Sequence, residues 1–167
     1  MHNNNKRDAY KLVISNLKNL SESDDVFHLI GLLATCESII SDRISAYLGG
    51  IKNEKFILRK NKDKYVSLND MIVLSKKQLQ IPIQIKTRAT GLIETDDLFE
   101  ELQNWKDHRN RVIHSVCKSN RNISHESSSK IFNDVRDCCI TGYDVVRFIL
   151  KWSDQTKRSH TKLKIKL

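Results

Sequence analysis

Along most of this chain, apolar residues recur at intervals of three and four, the spacing of buried helix faces. Over 98–118 the seam runs Leu98, Leu102, Trp105, position 109, Val112 and Val116. Over 24–48 it runs Val26, Ile30, Leu33, position 37, Ile40, Ile44 and then Tyr47 with Leu48. A second apolar flank of that stretch carries Leu29, Leu32, Cys36 and Ile39, which makes it a central helix or one with a face in a subunit interface. Over 129–152 the seam is Ile131, Val135, Cys138, Gly142, Val145, Ile149 and Trp152. These stretches predict three long helices. Leu12, Val13, Leu17 and Leu20 predict a short helix over 8–20, and Met71, Ile72, Leu74 and Leu79 a modest one over 68–79. The expected class is all-α, a bundle of four to five helices.

Local signals punctuate the pattern. Ser23 is placed to cap the 24–48 helix, with Asp24 and Asp25 in its first turn, and Gly49-Gly50 offers a left-handed stop. Ser67 or Asn69 can cap the modest helix, and Thr95 with Asp96 and Asp97 opens the 98–118 helix. Gly142, costly inside a helix, marks a close helix crossing. Between helices, 51–64 is a basic connection, a loop or a short ordered excursion. The stretch 80–87, QIPIQIKT, alternates apolar and polar residues around Pro82 and reads as an extended linker or edge strand. The expected division is a polar tail and short helix at 1–23, a helical domain at 24–156 and a solvated basic tail at 157–167. The K-L-K-I-K-L alternation in that tail leaves pairing with a partner strand as a second reading.

Two of the seams are interrupted by charge. At about 100° per residue, Glu37 and Arg109 each lie within roughly 20° of the centre of an apolar face. An unpaired buried guanidinium is very costly, so a buried Glu37–Arg109 pair is expected. It can fix helix register or position something. Beside Arg109, Asn110 and His114 stand four apart on one flank, and Arg111 is three before His114.

Charge and composition narrow the chemistry. The chain has 167 residues, 39% of them hydrophobic, enough for a core. Its net charge of +9, from 29 Lys+Arg against 20 Asp+Glu, favours an anionic partner. Nucleic acid stands ahead of membrane, because no apolar run approaches the ~20 residues of a spanning helix. The polar start MHNNNKRDAY lacks the apolar core of a signal peptide, so a cytoplasmic location is expected. Four cysteines (Cys36, Cys117, Cys138, Cys139) show no CxxC pairing and are expected as buried free thiols on helices. There is no Gly-rich phosphate loop, zinc spacing, HExxH or nucleophile elbow, and no cofactor or metal is implied. Asp24-Asp25 and Asp96-Asp97 are explained by helix starts, and His108 reads as a flank or interface residue.

What remains is an arginine, an amide and an imidazole on one helix. An imidazole near neutral pKa can move a ribose hydroxyl proton. A fixed guanidinium can stabilise charge developing at phosphorus, and Asn110 can orient either group or the substrate. The run WKDHRNRVIH at 105–114 resembles the RNxxxH form of the Rx4-6H motif of the HEPN superfamily. The long early helix with an internal acidic residue, Glu37, is similar to that family's layout. The resemblance spans roughly 24–152 but is architectural outside the motif, and it leaves 51–64 and 80–95 unexplained. It implies a dimeric helical bundle and a metal-independent endoribonuclease of a toxin–antitoxin, abortive-infection or antiviral-defence system, with RNA as substrate and an antitoxin or regulator as partner. Arg109 and His114 would be catalytic, with Asn110, Glu37 and Arg111 supporting. Two alternatives stay open: a non-catalytic HEPN-like module that dimerises or binds RNA or nucleotides, and an unrelated helical interaction protein.

Overall fold

The computed structural model describes residues 15, 25–78, 85–87, 91–93, 95–118 and 125–164. The expected helix over 8–20, the cap at Ser23 and the first-turn Asp24 lie outside these residues, apart from Ser15, which is helical. The described elements are α1 (Val26–Gly50), α2 (Glu54–Asn61), α3 (Leu68–Gln78), β1 (Ile85–Thr87), β2 (Gly91–Ile93), α4 (Thr95–Lys118) and α5 (His125–Lys164). Five helices against one short strand pair place the chain in the all-α class. No described helix is long and apolar enough to cross a membrane.

The three long helices bury the seams their periodicity specifies, including Leu33, Ile40 and Ile44 on α1, Leu102 and Trp105 on α4, and Val135 and Ile149 on α5. On α1 the second flank is buried too, through Leu29, Leu32, Cys36 and Ile39, as a central helix requires. α5 runs on through Lys164, so the part of the 157–167 segment that is described is helix rather than an irregular tail. Charged residues alternate poorly with a strand there once an established helix can simply be prolonged, each added residue gaining a backbone bond.

Connections differ from expectation in detail. Asp25 itself caps α1, its Oδ1 accepting from the Phe27 N–H at 2.8 Å, and no acidic residue lies in the first turn. At the other end Gly49 and Gly50 are still helical, and the left-handed residue is Lys52, with φ 53°. There the Asn53 N–H donates to the Leu48 carbonyl at 3.1 Å and the Lys52 N–H to Gly49 at 3.2 Å, the paired bonds of a Schellman stop. The stop falls two residues later than expected, and Asn53, directly after it, is the next cap. Its Oδ1 accepts from the Phe56 N–H at 3.0 Å and so starts α2 inside the basic connection. A second stop of the same kind ends α2, with Asp63 at φ 51° and the Lys64 N–H donating to Arg59 at 3.1 Å. Ser67 Oγ caps α3 by accepting from the Asp70 N–H at 3.1 Å. The 80–87 stretch supplies β1, which pairs antiparallel with β2 in the register Ile85↔Ile93, Lys86↔Leu92, Thr87↔Gly91.

The chain divides into two compact units, Met1–Cys36 with Trp105–Asp144, and Glu37–Asn104 with Val145–Leu167. In the first, α4 and α5 cross where Trp105 Nε1 donates to the Cys138 carbonyl at 3.1 Å. Gly142 leaves space for that indole, so the close crossing expected at this glycine is present. Cys139 Sγ ties α5 to α1 by donating to the Leu29 carbonyl at 3.2 Å. In the second, Trp152 lies edge-on to both Tyr47 and Phe99, with ring centroids at 4.7 and 5.4 Å. Arg59 Nη1 joins α2 to α3 through Asp70 Oδ2 at 2.9 Å.

Candidate functional site

α4 presents the candidate residues in a fixed order because its seam, anchored by Trp105 and Val112, turns its other faces away from the core. Arg109 lies one turn after Trp105 and is half-buried at the margin of the first unit's core. Its Nη1 donates to Asn110 Oδ1 at 2.6 Å, a charge-assisted bond between neighbours that fixes the plane of the guanidinium. Burial lowers the Arg109 pKa from its ordinary, very high value, while the Cys138 side chain pulls it back up. A group starting that high remains a cation at neutral pH.

His114 stands four residues after Asn110 and is exposed, making no hydrogen bond or ion pair among the described residues. Arg111 is exposed as well. Arg109, Asn110, Arg111 and His114 therefore share the first unit and less than two turns of one helix. Glu37 is half-buried on α1 and belongs to the second unit.

The cysteines next to the site are structural. Burial pushes the thiols of Cys36, Cys138 and Cys139 up from 9.0 to about 12, and the charges of Arg109 and Arg111 draw Cys138 part of the way back. Groups held neutral in this way are poor nucleophiles and poor ligands. Cys117 departs from the expected buried set: it is exposed on the Asn110 side of α4 near the helix end. Among the described residues no group of three or more His, Cys, Asp and Glu could hold a metal ion.

One feature of the site was not legible in the sequence. On the opposite flank of α4, a groove of about 320 Å³ is lined by His108, Arg111, Val112 and Ser115, facing Ile131 and Asp134 of α5. His108, expected as an idle flank residue, thus shares a groove with Arg111 and a carboxylate. The 108, 111, 115 spacing signals a common helix face. Asp134 is supplied by the crossing, which no local pattern encodes. The groove has a cation, an imidazole, a hydroxyl oxygen and a carboxylate, a set suited to a polar, partly anionic guest.

Comparison of the chain with protein-family models, with curated proteins and with solved structures gives no match.

Proposed function

We propose that the protein is a metal-independent endoribonuclease of the HEPN type, a toxin or antiviral-defence effector that works as a homodimer. The observation carrying this reading is the half-buried Arg109 guanidinium, held by Asn110 at 2.6 Å on the helix that exposes His114. In the reaction, the 2′-hydroxyl oxygen of a ribose bonds to the adjacent phosphorus as its proton passes to the His114 imidazole. The bond from phosphorus to the 5′-oxygen breaks, and that oxygen takes up the proton as it leaves. The products are a 2′,3′-cyclic phosphate and a 5′-hydroxyl. Arg109 meets the charge gathering on the phosphoryl oxygens, where a fixed cation in a partly dry setting acts most strongly. Asn110 keeps the guanidinium in place, and the net charge of +9 holds the strand.

A second reading, a non-catalytic module that binds RNA or nucleotides, is favoured by one observation. His114 has no orienting hydrogen bond among the described residues, whereas a general base is ordinarily aimed by a third group. Cleavage of RNA in EDTA by wild type and His114→Ala, with product ends mapped, separates the two. The nuclease predicts cyclic phosphate ends and a loss of roughly 10²–10⁴-fold in His114→Ala. Equal inertness of both proteins, with RNA binding retained, would establish the module instead. Toxicity on expression that His114→Ala relieves would point the same way as cleavage, and co-purification of an inhibitory protein would identify the antitoxin.

A further inference from the structure

The basic connection at 51–64 and the two residues after it have no part in the chemistry above, yet the fold shapes them closely. Its short helix α2 is capped by Asn53 at one end and closed by the Schellman turn at Asp63 at the other. That turn folds the chain back so that Lys64 and Tyr65 come beside Lys60 along one groove of about 350 Å³. The groove floor is apolar and includes Phe56, which is buried, and the Lys60 ammonium sits 5.7 Å from the centre of that ring. Asp42 and Ser45 of α1 also line the groove.

Charge and exposure are distributed unevenly here. Residues 51–66 hold six Lys and Arg against Glu54 and Asp63, and Arg59 is already engaged by Asp70 at 2.9 Å. Lys60 and Lys64 make no ion pair among the described residues. Tyr65 is 86% exposed, the most exposed large apolar side chain described in the chain, although it borders an apolar groove that could cover it. An exposed aromatic face sharing a groove with two ammonium groups, one of them resting over Phe56, beside an apolar floor edged by a carboxylate, matches one kind of guest. That guest has flat rings, a phosphate every few ångströms, and hydroxyl or amino donors.

We propose that this groove is a docking site for single-stranded RNA, in which a base stacks on Tyr65 while Lys60 and Lys64 hold the flanking phosphates. Stacking on an aromatic ring tolerates any base and tracks single strands rather than duplexes, whose bases are already stacked. The site deepens the ribonuclease reading, which supplies the identity of the polymer, but its own residues lie outside the α4 motif.

The test is fluorescence anisotropy with a labelled single-stranded RNA of about ten nucleotides. His114→Ala serves as the parent so that nothing is cut. Tyr65→Ala should weaken binding about tenfold. Lys60→Gln with Lys64→Gln should lower the slope of log affinity against log salt by about 1.4, two single-strand phosphate contacts. Because all three side chains are at the surface, unchanged helicity and melting temperature verify that the variants fold. The proposal is overturned if the parent binds no RNA, if it prefers duplex, if anionic phospholipid vesicles compete the RNA away, or if the variants bind as the parent does. The two readings fail separately. RNA binding lost in these variants without cleavage by wild type leaves this site standing and removes the nuclease. Cleavage by wild type with unaltered binding by the variants does the reverse.

Discussion

Replacing Gly142 by alanine adds one methyl group at the crossing of α4 and α5. The new Cβ would lie 2.8 Å from Trp105 Nε1, 3.1 Å from Cε2 and 3.2 Å from Cζ2, the first closer than real Cβ atoms approach a neighbour. Nor can the indole swing aside freely, because it is buried and donates to the Cys138 carbonyl. Helix propensity alone favours alanine by about 1 kcal/mol. Against it stand about 1–3 kcal/mol of overpacking and about 1–3 kcal/mol if the buried indole N–H loses its acceptor. With both costs the clash outweighs the propensity gain, and Gly142→Ala is expected to be less stable by roughly 1–5 kcal/mol. The melting temperature should fall by roughly 2–4 °C per kcal/mol lost. Urea unfolding followed by tryptophan fluorescence measures this directly. Repeating the substitution in Trp105→Phe completes a double-mutant cycle. The smaller ring vacates the contested volume, so alanine should there be neutral or stabilising. An increase in stability of about 1 kcal/mol in the wild-type background, the pure propensity effect, would refute the reasoning. The outcome bears on function, since the same crossing sets the orientation of the helix that carries Arg109, one turn beyond Trp105.

At pH 8 a thiol reagent should label Cys117 quickly and the other three cysteines only after unfolding, so rapid native labelling of more than one thiol per chain would contradict the buried cluster. The neutral thiols also set a pH dependence: the denatured chain ionises them near 9.0, the folded chain only near 12. Their contribution to stability is complete below about pH 9 and is lost as pH climbs towards 12, by up to ~1.4 kcal/mol per unit for each thiol. Urea titrations at pH 8 and 10 on wild type and a Cys138→Ala chain should show the steeper loss in wild type. Lys52→Gly should raise stability by about 0.5–1 kcal/mol, since an exposed lysine now holds a left-handed backbone that glycine adopts without strain. A decrease in thermal unfolding temperature would show that the lysine side chain contributes something its exposure conceals.

Periodicity determined the helices of this protein by itself. A seam repeating every three and four residues has one way to be buried, and Leu33, Trp105, Val135 and Trp152 could each be assigned inward from spacing alone. It also isolated Arg109, because a charge that breaks a seam is legible wherever the helix is, and with it Asn110 and His114 on the adjoining flank. The one-residue preferences were weaker guides. Gly49-Gly50 has the right chemistry for a stop, but the cap at Asn53 and the burial of Leu48 moved the left-handed residue to Lys52. Tertiary structure decided what spacing cannot encode, which is the set of residues that different helices bring together. Cys36, Cys138 and Cys139 became a cluster of thiols held neutral, His108 came to face Asp134 across a groove, and a basic connection became a capped helix that turns Lys64 and Tyr65 back beside Lys60. The third case rests on the local turn at Asp63, while in the first two the partners come from separate helices and depend on the angle at which those helices cross. That angle is set by side-chain volumes, here an indole against a glycine, and not by the order of residues along either element.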